Sequence, residues 1–341
     1  MRYPNTGFFF FGKSLSKALI AQNHLGFDFS FYSHKSVPRN LYPSGIGIIN
    51  KSLLHKILFP YKFDLVHFSD QYCKPHPALV RGKKILTIHD INPYYDRQHN
   101  PAKLKRYISR MRSYIKASHH IVTISEFVKG EVIRYFPEAE GKISVIYNGA
   151  DKLELSESHV PNFKPAGRFL FTIGMLSPKK NFHVLTCLLE NNDMELVIAG
   201  IIKEDYWNKI IEEARKYNCE ERVKVIGTIS DSDKAWYYKH CYAFMFPSLA
   251  EGFGLPVIEA MHFGKPVFLS TSTSLPEIGG KEAFYFNDFS CPNMQHVFSE
   301  KMEIYNSSLI LKEQLIKRSS IFTWDRTASL YLDIYKKVLN S

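Results

Sequence analysis

Short apolar runs alternate along this chain with longer stretches whose apolar residues recur every three or four positions, the periods of strands and helices respectively. Residues 27–33 and 63–68 predict strands, and 84–88 (KILTI) predicts a short buried one ending at His89-Asp90. Residues 102–118 predict a helix, with Leu104, Tyr107, Ile108, Met111, Tyr114 and Ile115 on one side and Lys103, Lys105, Arg106, Arg110, Arg112 and Lys116 around the rest. A strand at 120–124 leads to Ser125, a side chain suited to cap the helix expected over 126–136. Another strand, 142–146, ends at the turn signal Asn148-Gly149. Periodicity then fails over 152–167, which contains Pro161 and Pro165 and predicts an interdomain linker.

Beyond it the alternation resumes. Strand 169–173 meets Gly174 and a helix from Asn181, strand 195–199 a helix reaching Tyr217, and strand 223–226 a helix from Asp231. The tail spaces Trp324, Leu330, Ile334 and Val338 helically. Strands alternating with helices build parallel sheets covered on both faces, so the fold class is α/β with two doubly wound domains. The expected division is 1–160 plus the terminal helix 322–341, against 167–321. The opening is less regular. Residues 1–5 offer little strand before Thr6-Gly7, and the first helix is expected over 12–22, so the first strand is truncated or the true start lies upstream.

The stretch 247–261 (PSLAEGFGLPVIEAM) carries the clearest chemistry. On one continuous helix Glu251 and Glu259 would stand about 12 Å apart along the axis and on different faces. Gly252, Gly254 and Pro256 forbid that helix, and Pro256 suits a first helical position. Glu251 is therefore expected on a loop and Glu259 in the first turn of a helix starting near Pro256. Glycines before a helix N-terminus admit a ligand close to the backbone, and the helix dipole favours an anion there. Two carboxylates suited to hydroxyls beside a cradle suited to phosphate fit a nucleotide sugar.

Composition narrows the field. The chain has 341 residues, 45% hydrophobic and 23% charged, enough for two cores. No apolar run approaches a membrane span, and the five cysteines form no C-x-x-C pair, which fits a reduced cytosolic protein. The net charge of +11 is uneven: residues 1–165 hold 24 Lys and Arg against 12 Asp and Glu, and 166–341 hold 20 against 21. A basic first half seeks an anionic surface or a phosphorylated ligand. No nucleic-acid-binding module accompanies the pI of about 9.2, so no nucleic-acid partner is expected. The dinucleotide fingerprint G-x-G-x-x-G is absent after every strand, which disfavours a nicotinamide enzyme. Asp231-Ser232-Asp233 could hold a metal, but Ser230 with Asp233 reads as a capping box, so no essential metal is expected.

The succession of 242–246, EGFG-LPVIEAM, Gly264-Lys265-Pro266-Val267 and Ser274-Leu275-Pro276-Glu277 resembles the C-terminal half of the family 4 retaining glycosyltransferases, with Thr172–Phe182 (TIGMLSPKKNF) resembling their diphosphate-binding loop. Ser125-Glu126-Phe127 and Tyr147-Asn148-Gly149 extend the likeness into the first half. The resemblance implies the GT-B fold, two Rossmann-like domains about a cleft with a terminal helix crossing back onto the first. It implies a donor site of Gly174, Lys179, Lys180, Ile229, Glu251, Gly252, Phe253, Gly254, Leu255 and Glu259. Within that site Lys180 would meet the donor's distal phosphate, Glu251 the transferred sugar and Glu259 the ribose, while the base would meet backbone near Ile229. His89 would stand near the reaction centre and Gly7 on the acceptor side. Met175 replaces an arginine common in the family, which leaves Lys179 as a partial substitute, and Phe8 to Phe11 replace small residues. The implied partners are a nucleotide sugar, GDP-mannose foremost, and a saccharide or polyprenyl-diphosphate-linked acceptor, with no cofactor. The setting would be bacterial polysaccharide or O-antigen assembly in the cytoplasm, with the basic helix 102–118 docking the first domain on an anionic membrane. The rival expectation is a non-catalytic nucleotide-sugar-binding partner.

Overall fold

The computed structural model describes residues 7–23, 26–33, 37–39, 42, 46–56, 58–96 and 100–341. The chain divides into two units, Met1–Gly149 with Phe322–Ser341, and Ala150–Ile321.

In the first unit α1 (Gly7–Ala21) precedes β1 (Ser30–Ser33) and β2 (Gly47–Asn50), then β3 (Leu65–Phe68), β4 (Lys83–Ile88), α2 (Asn92–Asp96), α3 (Pro101–Ala117), β5 (His120–Thr123), α4 (Glu126–Tyr135) and β6 (Ile143–Val145). Strands β3 to β6 form one parallel sheet in that order, and β1 pairs with β2 in a separate parallel ladder. Ser125 caps α4 as expected, its hydroxyl accepting from the Val128 amide at 3.2 Å.

Helix α1 begins five residues before the expected start and takes in the phenylalanine run. Phe11, Leu15, Ala18 and Leu19 recur at helical spacing, and all are buried against the sheet residues Ile85 and Val122. Gly7 therefore opens a helix instead of lying in a loop, and a Cβ there would meet nothing within 4 Å. The expectation of a weak strand over residues 1–5 lies outside the described residues. The strand expected over 27–33 is confined to its second half.

Helix α3 turns its apolar stripe inward, burying Tyr107, Met111, Tyr114 and Ile115. Two of its arginines are engaged within the unit. Arg112 pairs with Glu138 at 2.8 Å, and Arg110 lies 5.0 Å from the Tyr114 ring centre and hydrogen-bonds its hydroxyl at 3.2 Å.

The second unit runs β7 (Phe169–Ile173), β8 (Glu195–Ala199), α5 (Glu204–Lys216), β9 (Val223–Gly227), α6 (Asp231–His240), β10 (Ala243–Phe246), α7 (Leu255–His262), β11 (Val267–Ser270), α8 (Leu275–Gly279), β12 (Phe284–Phe286), α9 (Cys291–Ser307) and α10 (Leu311–Ser319). Its six strands are all parallel in the order β12-β11-β10-β7-β8-β9, and the order reverses between β7 and β10. In such sheets ligands bind beyond the carboxyl ends at that reversal. One sheet face buries Leu170, Leu196, Ile198, Met245 and Phe268 under α9 and the segment Phe182–Leu189. That segment, expected as an α-helix, is a 3-10 helix, and its buried Phe182, Leu185 and Leu188 recur every third residue to match three residues per turn.

The stretch expected as a linker is bound to the second unit. His159 donates to Asp233 at 2.8 Å, Tyr237 donates to the Phe163 carbonyl at 2.5 Å, and the Ala166 amide donates to Glu195 at 2.6 Å. Aperiodicity marked a segment without helix or strand, but not one without contacts.

The chain then returns to the first unit as α11 (Trp324–Leu339), which buries Ala328, Tyr331, Leu332, Tyr335 and Val338 against α1 and the sheet. Burial of each large apolar side chain contributes about 1.5–3 kcal/mol. Polar contacts fix its register: His67 with Tyr335 at 2.7 Å, Thr87 with Tyr331 at 2.8 Å, and Thr327 donating to the Tyr147 carbonyl at 2.8 Å. Gly149 admits this helix, since a Cβ would lie 2.3 Å from the Trp324 nitrogen.

Candidate functional site

Three neighbouring strands of the second unit reach their carboxyl ends at glycine: Gly174 after β7, Gly200 after β8 and Gly227 closing β9. The Gly174 amide donates to Ala199 at 2.9 Å and the Gly200 amide to Gly227 at 2.7 Å, so the backbones lie against one another. At Gly200, with φ of 139°, a Cβ would come within 1.9 Å of the Gly174 carbonyl oxygen. That edge is bare backbone, closely packed strand to strand.

The loops beyond β7 and β10 are tied together above it. Lys179 is exposed, and its carbonyl accepts from the Leu249 amide at 2.8 Å. Lys180 closes a single 3-10 turn and reaches across to Glu251, Nζ to Oε1 2.5 Å, with its ammonium 4.7 Å from the Phe246 ring centre. Only 14% and 16% of these two side chains are exposed. The Ser248 hydroxyl donates to the same Oε1 at 2.6 Å, and Oε2 has no hydrogen-bond partner among the described residues.

The Gly252–Gly254 loop is pinned from the segment after β11. The Glu251 amide donates to Thr273 at 3.0 Å, and the Ser274 hydroxyl donates to the Phe253 carbonyl at 2.7 Å and the Glu251 carbonyl at 3.1 Å. Gly254, with φ of 120°, turns the chain into α7 in a conformation that a side chain would strain. The first turn of α7, Leu255 with Pro256 behind it, thus faces the same edge as Lys180 and Glu251 at a helix's positive end.

Glu259 lies in the second turn of α7, because the helix begins at Leu255. It is buried against α6, where Oε1 accepts from Lys234 at 2.9 Å and Oε2 from the Tyr238 hydroxyl at 2.9 Å. Burial pushes its carboxyl pKa up, against the opposing pull of Lys234 and Tyr238. Burial alone would lower the Lys234 ammonium, but Glu259 and then Asp231 reverse that and raise it. The pair is an ion pair. Ile229 is half-buried in the turn between β9 and α6, and Met175 is exposed just after Gly174.

Asp231 and Asp233 diverge. Asp231 pairs with Lys234 at 3.2 Å, whereas Asp233 accepts from His159 at 2.8 Å. The Ser230 hydroxyl accepts from the Asp233 amide at 3.0 Å and so caps α6. Among the described residues no group of three or more His, Cys, Asp or Glu could hold a metal ion.

His89 belongs to the first unit. It is buried at the end of β4, its Nε2 donating to the Ser69 carbonyl at 2.8 Å and its amide donating to Gln71 at 3.2 Å. Phe8 and Phe11 of α1 meet its ring edge-on at 4.9 and 4.6 Å between centres. Burial lowers its pKa, so the ring is neutral near pH 7 with the proton on Nε2. Asp90 accepts from the Asn92 amide at 3.1 Å, a turn contact.

The structure brings Lys180, Glu251 and the 252–255 loop together, with Glu259 one turn further along α7. Ser248, Thr273, Gly200, Lys234 and Tyr238 escaped the sequence reading, and Ser274 entered it only as part of a motif. Lys234 and Tyr238, four apart on α6, were the one legible pair.

Two families divide the chain: Glycosyl transferases group 1 matches residues 156–319 and Glycosyltransferase Family 4 matches 18–152. The chain is similar to the serotype-specific mannosyltransferase WbdA of Escherichia coli, 27% identical over 292 residues, covering 80% of this chain but 36% of that protein. It spans about a third of that relative's length. It is 25% identical over 296 residues to the O-antigen chain mannosyltransferase B of Escherichia coli, covering 80% of this chain and 74% of the relative. Among solved structures it is similar in fold to Anabaena HepE in complex with UDP and glucose, with a TM-score of 0.75 at 16% identity, covering 99% and 98% of the two chains.

Proposed function

The chain belongs to the family 4, group 1 glycosyltransferases of the GT-B fold, and from that premise we propose that its second unit binds a nucleoside-diphosphate sugar beyond the carboxyl ends of β7 to β10. On this reading it transfers a hexosyl group, mannosyl from GDP-mannose foremost, with retention at the anomeric carbon. The acceptor is a saccharide or a polyprenyl-diphosphate-linked saccharide, and the setting is bacterial surface-polysaccharide assembly. The single observation that carries the reading is the Lys180–Glu251 pair, enclosed beside a bare backbone edge and a helix N-terminus.

A fixed ammonium there stabilises the charge that develops on a leaving diphosphate, and it needs no reorganisation when the bond breaks. Oε2 of Glu251 is placed to accept from a sugar hydroxyl. Each oxygen of a carboxylate has two acceptor positions, so Glu259 can receive ribose hydroxyls while it keeps Lys234 and Tyr238. Retention follows if the acceptor attacks from the leaving group's side and the departing phosphate takes its proton, a route that needs no side-chain nucleophile. Lys180 and the start of α7 carry the charge that a metal would otherwise meet. The mannosyltransferase names of two relatives support the donor assignment.

The covering of His89 by Phe8 and Phe11 favours a second reading, a nucleotide-sugar-binding partner without turnover. One experiment separates the two: steady-state turnover across UDP-, GDP- and dTDP-sugars with a lipid-linked saccharide acceptor. Consumption of GDP-mannose is expected. Binding of a nucleotide sugar without product would select the second reading.

A further inference from the structure

A basic pocket lies at the end of the second unit's sheet away from the candidate site. Cys241 and Tyr242 lead into β10, and Lys265 and Pro266 lead into β11, so both strands start here. Each then runs four residues, about 13 Å, toward the loops that hold Glu251, Thr273 and Ser274. An open pocket of about 470 Å³ at this amino end is lined by Leu155, Lys239, Phe263, Lys265, Tyr305 and Lys312. Three of the six are lysines and none is an acid, in a unit where acids outnumber bases 22 to 19. Among the described residues none of the three lysines forms an ion pair. A second hollow of about 270 Å³ shares Lys265 and Tyr305 and adds two more basic side chains, Arg168 and His240.

The fold places these lysines. Gly264 ends α7 with φ of 66°, its amide donating to the Met261 carbonyl at 2.8 Å. A Cβ there would lie 2.5 Å from Cγ of Lys312, so the lysine stem crosses the bare turn. The Tyr305 hydroxyl donates to the Gly264 carbonyl at 2.6 Å and fixes that wall of the pocket. Burial lowers the pKa of the Lys265 ammonium, Cys241 opposes the shift, and the charge on Lys312 adds to it. Two cations are thus held close enough to repel without a fixed counter-charge, an arrangement that costs stability. Helix dipoles do not account for all three lysines. Lys239 in the last turn of α6 and Lys265 just past α7 stand where cations are favoured, but Lys312 is the second residue of α10, at the end that disfavours one. An anion between them would relieve the repulsion. We propose that this pocket is a second anion site, which binds a small soluble phosphorylated molecule with about as many negative charges as the pocket has lysines. Its volume suits a small-molecule ligand, whose uncharged part would rest on Phe263, Tyr305 and Leu155. The site is separate from the donor edge, and the proposal does not rest on the donor reading.

Inorganic pyrophosphate is the probe, and lysine labelling with acetic anhydride, read peptide by peptide in a mass spectrometer at constant ionic strength, locates it. Near saturation it should slow the labelling of Lys265 and Lys312 about tenfold, leaving Lys105 of α3 unchanged as the reference. The same protection is expected in Lys180→Ala, which removes the ammonium of the candidate donor site. In titration calorimetry Lys180→Ala should still bind pyrophosphate, and adding Lys265→Met should weaken that binding about tenfold, the loss of one charge-assisted contact. Methionine keeps the apolar stem, so Lys265→Met alone in anion-free buffer should unfold at the same urea concentration as wild type or a higher one. Labelling indifferent to pyrophosphate, protection that vanishes in Lys180→Ala, or affinity indifferent to Lys265→Met overturns the proposal. So does a Lys265→Met variant less stable than wild type, which would make the ammonium a structural partner of the ends of α6 and α7.

Discussion

The two units build the same kind of parallel sheet and finish it in opposite ways. In the second, β7, β8 and β9 run out into glycine, and the edge beyond them is backbone spanned by the Lys180–Glu251 pair. In the first, β3 and β4 run out into side chains, and aromatic rings close over them. His89 lies under Phe8 and Phe11, and His67 stacks on Tyr331 at 4.9 Å between centres. The charges differ as well: the first unit has 25 Lys and Arg against 11 Asp and Glu, the second 19 against 22. Contact with an outside ligand needs close approach to the backbone, which glycine permits, although the Gly174 and Gly200 amides themselves stay bonded within the sheet. An aromatic edge fixes a shape and shuts water out. One sheet is finished to receive a ligand, the other to hold its own parts still.

The comparison can be attacked at either edge. Gly200→Ala should do most damage, because its Cβ would strike the Gly174 carbonyl in a backbone conformation that already disfavours a side chain. A loss of at least about 3 kcal/mol in urea unfolding is expected. Wild-type stability would show that the bare edge tolerates a methyl group after all. Next comes Lys180→Ala, for which turnover should fall about a hundredfold, as when one preorganised donor to a developing charge is lost. Unchanged turnover in the folded variant would remove Lys180 from the diphosphate.

The third test turns to the first unit. His67 is half-buried between Tyr335 and Thr87, and loss of solvent around its ring lowers its pKa from 6.5 to about 3. The unfolded chain takes up a proton below pH 6.5 that the folded one refuses, so stability is full above that pH and falls on acidification toward 3. Between pH 7 and 5 the first unit should lose about 2 kcal/mol, read as faster hydrogen exchange in β4, and His67→Gln should flatten the slope. Fourth, Glu259→Gln should weaken donor binding about tenfold with kcat nearly unchanged, since ribose contacts are the same before and during reaction. A fall in kcat instead would move Glu259 toward the chemistry. Least of all should happen on EDTA treatment and dialysis. Activity lost and restored by Mg²⁺ or Mn²⁺ would bring Asp231 and Asp233 back.

What the sequence disclosed follows the same division. Strands β7 and β8 were legible to the residue, because their apolar runs are buried on both faces and stop at glycine. Glu251 and the 252–255 loop were legible too, since glycine and proline there have few other uses. The partner of Lys180 was not. A lysine and a glutamate 71 residues apart meet only once the sheet places β7 beside β10. Ser274 and Thr273 were hidden for the same reason. In the first unit Phe8 to Phe11 misled because four phenylalanines in a row carry no period, and only burial tells which of them face inward.

The chain leaves the first unit at Gly149 and re-enters it at Phe322, and those points are near neighbours, with Gly149 packed against the backbone of Trp324. An insertion whose ends meet can be lifted out as one piece. Residues 150–321 are therefore a natural cassette for recombination: an in-frame exchange at this single seam would carry the whole of one unit into a relative's chain, leaving the packing of α11 on α1 untouched.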